Sequence, residues 1–330
     1  MFAHLRLLFD NFTLVLLAVV AAATLLPAHG QGAVFFEGLT VAAIALLFFM
    51  HGAKLSRQAI IDGATHWRLH LLVFACTFVM FPLLGLVLRP VVLPLLGEEL
   101  YLGLLFLCVL PGTVQSAIAF TSLAGGNIPA AVCSASASSI LGIVLTPVLV
   151  ALVMNVQAES SAASMLNSIL AISVQLLLPF VVGHLMRPLI GGWIDRHRPV
   201  LAKVDQSSIL LVVYTALSAS VIEGLWSTVS PTALAMLTVV CCLLLALVLW
   251  LTATFGRMLG FSWEDRITIV FAGSKKSLAT GVPMAKVLFA GSMLGPVLLP
   301  LMIFHQIQLM VCAVMAQQYA REGQPAEATG

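Results

Sequence analysis

Stretches of about 20 apolar residues, the length that a helix needs to cross a bilayer, recur along the whole chain between short polar segments. Composition points the same way, because 61% of the 330 residues are hydrophobic and 8% are charged. A soluble domain carries about 25% charged residues. So few charges cannot cover a surface that faces water. We therefore predict an all-α polytopic membrane protein, with membrane lipid as its main surrounding partner.

The hydropathy pattern predicts ten transmembrane spans. Their predicted bounds are Phe12–Pro27, Phe35–His51, Leu69–Leu88, Leu100–Ser122, Ile128–Met154, Leu166–Ile190, Ser207–Ile222, Thr232–Leu259, Thr268–Ala290 and Leu294–Gln317. The first stretch has an alternative interpretation as a cleaved signal peptide, because Arg6 precedes its apolar core and small residues follow it. Its removal would leave nine spans and two unequal halves.

Positive charges predict the orientation of the spans, because cytoplasmic loops of membrane proteins are enriched in lysine and arginine. With the N-terminus inside, the cytoplasmic segments hold 11 of the 15 basic residues, and the outer segments hold only Arg89. The remaining three, Lys275, Lys276 and Lys286, fall within span nine. We expect both termini in the cytoplasm, and the short loops suggest a bacterial inner (plasma) membrane.

Five spans lie on each side of a division near residue 160. An odd number of spans in each half means that the second half enters the membrane inverted relative to the first, as in inverted-repeat transporters. The predicted units are residues 1–160, with spans one to five, and residues 161–330, with spans six to ten.

The fourth span of each half is interrupted by helix-breaking residues. Span four contains Pro111-Gly112, and span nine contains Gly273–Ser277 followed by Gly281 and Pro283. Interrupted spans in corresponding positions of two halves indicate a substrate site near the middle of the membrane, since the freed backbone groups face a cavity. The alternative is that each proline or glycine only kinks a packed helix.

Three motifs then resemble a known family. The segments Phe48–Ser56, Gly126–Pro147 and Ala272–Gly291 look like the bile acid:sodium symporter superfamily. More narrowly, they resemble its outlying branch of bacterial proteins named as sodium-dependent transporters, together with the seventh member of the human solute-carrier family 10. The resemblance implies a panel of spans one, two, six and seven, and a core of the other six spans. In this fold, spans four and nine cross where they unwind.

The same resemblance implies two sodium ions behind the crossing, but this chain departs from the pattern. In the better-known branch, a glutamate and a glutamine four residues later in span nine bind sodium; Phe271 and Lys275 stand at those positions. The nearest match to the family's Ser-Asn pair in span four is Gln115-Ser116. Sodium is therefore possible as a coupling ion but doubtful, and no cofactor is expected.

The positions of the acidic residues are a second argument against a sodium site. All 13 acidic residues, Asp205 among them, fall in predicted loops or at span ends, so no carboxylate is expected to neutralise a cation inside a span. Lysines inside spans usually face a pathway. Our hypothesis is that the Lys276 ammonium replaces the charge of sodium, and either pairs with an anionic substrate or binds and releases a proton. The alternative is a structural lysine bonded to unwound carbonyl groups.

Further polar residues could complete the site. Ser134 and Ser138 share one face of span five, and His305 and Gln308 share a face of span ten that could approach Lys276. The full set of candidate substrate- and ion-binding residues is Gln115, Ser116, Thr121, Asn127, Ser134, Ser138, Ser274, Lys275, Lys276, Ser277, His305 and Gln308. No metal-ligand cluster, nucleotide loop or nucleophile elbow is present.

We predict a secondary transporter of a small organic anion that works by alternating access, with possible ion or proton coupling. An alternative is a membrane regulator of ion (calcium) homeostasis that transports nothing, an association suggested by the human relative. An intramembrane enzyme is the third class, and no paired acids or Ser/His/Asp arrangement at membrane depth supports it. The net charge of +2 and the absence of a basic patch exclude nucleic acid as a partner. Substrate identity, direction and oligomeric state do not follow from the sequence.

Overall fold

The computed structural model describes residues 11–54, 66–154, 162–222, 224–289 and 293–322, and within these ranges the chain is helical with no strand. The helices in chain order are α1 Asn11–Leu25, α2 Gly30–Lys54, α3 Trp67–Val87, α4 Arg89–Leu96, α5 Glu98–Val109, α6 Gln115–Leu123, α7 Ile128–Met154, α8 Ala162–Arg196, α9 Arg198–Ile222, α10 Leu225–Thr228, α11 Pro231–Met258, α12 Trp263–Gly273, α13 Leu278–Leu288 and α14 Leu294–Glu322.

Seven of the described helices are long and apolar enough to cross a membrane: α2, α3, α7, the Leu176–Arg196 part of α8, α9, α11 and α14. Many large apolar side chains on these helices point outward; Leu189, for example, is 84% exposed and Met258 is 76% exposed. Such a surface is soluble in lipid and not in water. The chain is therefore a multi-pass membrane protein, as predicted.

The predicted spans four and nine are each two shorter helices with an unwound segment between them. Helix α5 ends at Val109 because Leu110, the residue before Pro111, has the extended conformation that a following proline imposes. The chain resumes helical structure at Gln115 in α6. In the second half α12 ends at Gly273, and α13 begins after Ser277, whose side chain caps it by accepting from the Thr280 N–H.

Helices α2 and α8 pack with their backbones almost in contact. A Cβ atom at Gly52 would collide with the Phe180 carbonyl, and one at Gly183 would collide with the Phe49 carbonyl. Arg187 adds a hydrogen bond from its guanidinium to the Ala53 carbonyl, 2.6 Å long. Small residues that let two backbones approach are the usual basis of helix association in membranes.

Several predicted bounds need correction. Helix α9 begins at Arg198 and not at Ser207, so Asp205 lies inside a helix, 5% exposed, and not in a loop. Its carboxylate forms an ion pair with the Lys54 ammonium. The predicted loop after span three contains the helix α4. The predicted boundary between residues 160 and 161 lies outside the described residues.

Candidate substrate and ion site

The two unwound segments meet, and backbone atoms make the contact. The Ser277 N–H donates to the Pro111 carbonyl over 3.0 Å. Gly112 lies so close to the second segment that a Cβ atom there would be 3.3 Å from the Ala272 carbonyl oxygen. On its other side, the Gly112 N–H donates to Ser138 Oγ over 3.2 Å. Both segments belong to the predicted substrate site, and the structure brings them together.

Lys276 is fully buried, and its ammonium donates to three backbone carbonyls. The acceptors are Thr77 at 2.9 Å, Cys108 at 2.9 Å and Leu110 at 2.7 Å. The ring of Phe81 lies 4.1 Å from the same nitrogen. A protonated lysine has three N–H donors, so the three carbonyls match the charged form. This is the kind of ligation that a bound cation receives from carbonyl oxygens.

The Thr77 carbonyl is available because α3 contains a π-helical segment, Cys76–Met80. In that segment the Phe81 N–H donates to the Cys76 carbonyl and not to Thr77. The next residue, Pro82, has no N–H to offer. A buried carbonyl without a donor is costly, and the Lys276 ammonium supplies the donor.

The carbonyls at the end of α5 are available because the helix stops there. The Gly112 N–H would reach the Cys108 carbonyl in a continuous helix, but it donates to Ser138. Thr146 Oγ1 donates to the intervening Val109 carbonyl over 3.0 Å. A cation at a helix C-terminus is also favoured by the helix dipole. Lys276 therefore joins α3, α5 and the break before α13.

Lys275 is also fully buried but is held differently. Its ammonium donates to the Ser116 carbonyl over 2.9 Å. The rings of Phe120 and Phe271 lie 3.9 Å and 5.2 Å from the nitrogen. Aromatic faces attract a cation, and more strongly where water is excluded. The resemblance placed sodium ligands at residues 271 and 275, and an aromatic ring with an ammonium at these positions does not fit a sodium ion.

Gln308 binds the backbone of Lys276 with both ends of its amide. The Lys276 N–H donates to Gln308 Oε1 over 2.9 Å, and Gln308 Nε2 donates to the Lys276 carbonyl over 2.8 Å. His305 Nδ1 lies 3.4 Å from that carbonyl and 2.9 Å from Gln308 Nε2. The predicted approach of His305 and Gln308 to the Lys276 region is therefore confirmed.

A cavity of ≈180 Å³ lies beside the meeting point of the two breaks. The starts of α6 and α13 line it together with α14, and α1, α2 and α9 supply the rest of the lining. Neither Lys275 nor Lys276 is among the described residues that line it. These are Phe12, His51, Thr113, Val114, Gln115, Ser116, Asp205, Gln206, Ile209, Ser277, Leu278, Ala279, Thr280, His305 and Leu309.

Helix ends give this cavity a positive wall. The first N–H groups of a helix carry partial positive charge and form a common anion site. Both α6 and α13 begin at the cavity, and α6 has no side chain capping its N-terminus. Directly behind this wall, the Lys275 ammonium contacts Ser116. Asp205 is the one acidic residue among the described residues that line the cavity, and Lys54 neutralises it.

Eight of the twelve predicted candidates do not line the cavity: Ser138, Lys275, Lys276 and Gln308, described above, and Asn127, Ser134, Ser274 and Thr121. Asn127 caps α7 by accepting from the Ala130 N–H and donates to Asp265 over 2.8 Å. Ser134 Oγ lies 2.6 Å from His70 Nδ1. Ser274 donates back to the Val270 carbonyl, and Thr121 is fully buried. The contacts of Asn127, Ser134 and Ser274 join helices or hold a helix end, whereas Thr121 Oγ1 has no hydrogen-bond partner among the described residues.

Sequence reasoning missed Thr77, Asp205 and Thr280. The signal for Thr77 was Pro82 five residues later in an apolar helix, since a proline leaves an earlier carbonyl without its donor. Asp205 was missed because the hydropathy pattern set the start of span seven at the first apolar run after it. Thr280 lies three residues after a serine that caps a helix, a spacing that places it in the first turn.

Comparison with known proteins finds similar sequences over nearly the whole chain. The sequence model of the SBF-like CPA transporter family matches residues 10–321. The chain is 66% identical to an uncharacterized protein of Pseudomonas aeruginosa, over 98% of this chain and 96% of the relative. It is 58% identical to the candidate symporter YfeH of Escherichia coli, over 97% and 95%. It is 30% identical to sodium/bile acid cotransporter 7 of Rattus norvegicus, over 92% and 90%. The chain therefore belongs to the SBF-like CPA transporter family, and it is a membrane transport protein and not an enzyme.

Proposed function

We propose that this protein is a secondary transporter that carries a small organic anion by alternating access. The observation that supports this most is the cavity at the meeting point of two broken helices, into which the N-termini of α6 and α13 open. An anion there would meet partial positive charge from both helix ends. Symporter and cotransporter names among the relatives support the transport class.

The proposed architecture has ten spans in two inverted repeats, 1–160 and 161–330. The seven long helices are completed by α1, by α5 with α6, and by α12 with α13. The packing supports this pairing: α2 contacts α8, and α1 contacts α9. A two-fold axis between the halves would exchange span one with span six and span two with span seven. It would therefore convert the contact between spans two and six into the contact between spans seven and one. We propose that the protein lies in a bacterial inner membrane with both termini in the cytoplasm.

In this proposal Lys276 is a resident cation that replaces sodium. Its ammonium binds three carbonyls behind the crossing, as a metal ion would, but it is tethered to the chain and cannot leave. The positive charge of Lys276 would therefore attract the substrate from behind the lining of the cavity, and the helix ends would make the direct contacts with the substrate. Sodium coupling is not expected at this position.

The transport mechanism can be tested at Gln115, an exposed residue that lines the cavity at the start of α6. Gln115→Cys in a variant without the six native cysteines would be labelled with a membrane-impermeant maleimide, in inside-out and in right-side-out vesicles. A carrier that alternates should expose this cysteine to both sides in turn. Labelling from one side only would contradict alternating access and favour the non-transporting regulator.

The sodium question has a separate test. Thermal unfolding of the purified protein in detergent would be compared in sodium chloride and in choline chloride at equal ionic strength. A ligand that binds only the folded protein raises the melting temperature as its concentration passes the Kd. We expect equal melting temperatures. A saturable rise with sodium would mean that oxygen ligands elsewhere in the site suffice, and the resident-cation hypothesis would be wrong.

A further inference from the structure

The part of the cavity lining that α9 supplies contains a buried carboxylate with spare hydrogen-bonding capacity. Asp205 Oδ2 is bound by Lys54, but Asp205 Oδ1 has no hydrogen-bond partner among the described residues. An ionised carboxylate can accept about four hydrogen bonds, and leaving a buried one short of donors is unfavourable. Asp205 lines the cavity at 5% exposure, so a ligand there could supply the missing donor.

The wall formed by the helix ends has an unused hydroxyl group. Thr280 lies in the first turn of α13, lines the cavity and is 2% exposed. Its Oγ1 has no partner among the described residues, although its N–H is bound by Ser277. A hydroxyl beside a helix N-terminus can donate to the same anion that the helix end attracts. The cavity thus combines a donor side for an anion with an acceptor side for a hydrogen-bond donor.

The volume of the cavity limits what can fill both sides. At ≈180 Å³ it is well below the ~300–1,000 Å³ typical of pockets for drug-sized ligands. A carboxylic acid of three or four carbons matches a cavity of this size better than a steroid does.

We propose, on the basis of the proposed function, that the substrate is a small carboxylate that carries a hydrogen-bond donor, an ammonium or hydroxyl group, a few atoms from its carboxylate. The carboxylate lies against the starts of α6 and α13 with Thr280 donating to it. The ammonium or hydroxyl group donates to Asp205. Thr280 and Asp205 are the specificity-determining residues, and the protein takes amino or hydroxy acids in preference to simple fatty acids or bile acids.

The test uses matched acids that differ only in the donor. Melting temperatures of the full-length protein in detergent would be titrated with propionate, lactate and alanine, and with succinate, malate and aspartate. Taurocholate would test whether a steroid anion binds. Propylamine would test whether an amine binds without a carboxylate. We expect lactate or alanine, or their four-carbon analogues, to bind at least tenfold more tightly than the acid without a donor. The lactate and alanine arms separate a hydroxyl group from an ammonium group.

Variants then assign the two sides of the site. Asp205→Asn should reduce the affinity for the donor-bearing acid to that of its plain analogue, while Thr280→Val should weaken every carboxylate about equally. Lys54→Gln removes the ion pair but keeps the carboxylate, so the preference for donor-bearing acids should persist. That result would show that Asp205→Asn loses the preference because the carboxylate no longer binds the ligand, and not because the ion pair is lost. Asp195→Asn, at an exposed ion pair with Arg198, is the matched control.

The outcomes separate this inference from the proposed function. If propionate or taurocholate binds as tightly as lactate and alanine, the preference is wrong but an anion transporter remains. If Asp205→Asn retains the preference, or if Thr280→Val retains the full affinity for carboxylates, while the protein stays folded, the assignment of residues is wrong. If no carboxylate changes the melting temperature, the anion site itself is contradicted, and the proposed function fails with it.

Discussion

Replacing each of the two buried lysines by methionine should separate their contributions to stability. Both side chains are fully buried, so both variants recover a similar desolvation penalty, and this large term cancels in the comparison. The difference that remains is the number of acceptors left without a donor. Lys276→Met leaves three carbonyls, and Lys275→Met leaves one.

The two additional carbonyls without a donor determine the expected difference in the free energy of unfolding between the two variants. Each buried acceptor that loses its donor costs about 1–3 kcal/mol, which makes Lys276→Met less stable than Lys275→Met by roughly 2–6 kcal/mol. Lys275 lies over two aromatic rings and Lys276 over one, and that extra contact lowers the difference by about 0.5–1 kcal/mol. At about 2 °C per kcal/mol for a large domain, the melting temperature of Lys276→Met should be lower by at least a few degrees.

The assay is thermal unfolding of both purified variants in the same detergent, followed by tryptophan fluorescence. A further Lys276→Ala variant opens space among the three carbonyls, so methylammonium added to the buffer should raise its melting temperature and not that of the wild type. Equal melting temperatures of the two methionine variants, together with no methylammonium response, would refute the idea that Lys276 serves as an internal cation.

Three further predictions concern the framework around the site. Gln308→Leu should lower the free energy of unfolding by about 1–3 kcal/mol, because it leaves the Lys276 N–H unpaired and removes the shorter of the two hydrogen bonds to the Lys276 carbonyl; chemical denaturation in mixed micelles would measure it, and a loss below 1 kcal/mol would contradict the reasoning. Gly183→Val should prevent the close packing of α2 on α8, because its side chain meets the Phe49 carbonyl; we expect a strong loss of folded protein in size-exclusion chromatography, whereas Gly32→Val, at an open position, should behave as the wild type. Asn127→Ala should cost about 1–2 kcal/mol through the loss of the α7 cap, and it should leave ligand affinity unchanged in the titrations described above; a change in affinity would return Asn127 to the binding site.

Local sequence signals were sufficient where the cause of a structural feature is local. The proline and glycine at residues 111 and 112 and the polar segment 273–277 indicated the two breaks, because these residues act on their own stretch of backbone. Length and hydropathy likewise predicted most of the long helices. The bounds were less accurate where polar helical turns extend beyond the apolar run, as at the start of α9.

Contacts between distant segments could not be read from these patterns. The partners of Lys276 come from α3 and α5, more than 160 residues away along the chain. The hydropathy pattern predicts that Asp205 lies in a loop or at a span end, but the structure buries it inside α9 beside Lys54. Asn127 belonged to a motif with family resemblance, and only its hydrogen bonds identify it as a helix cap. Such assignments depend on packing in three dimensions, which hydropathy does not record.

A cation that is tethered to the chain also limits which ion gradient or potential can drive the transport of a solute. A dissociable sodium ion can move down its own gradient and drive another solute uphill, whereas in the proposed mechanism the Lys276 ammonium stays with the chain and can do no such work. The membrane potential would then act on the solute alone. At 100 mV, negative inside, one negative charge is driven outward by about 2.3 kcal/mol, roughly a 50-fold concentration ratio. In this arrangement a monovalent anion would flow out of the cell, whereas a zwitterion would cross in either direction as its concentrations dictate.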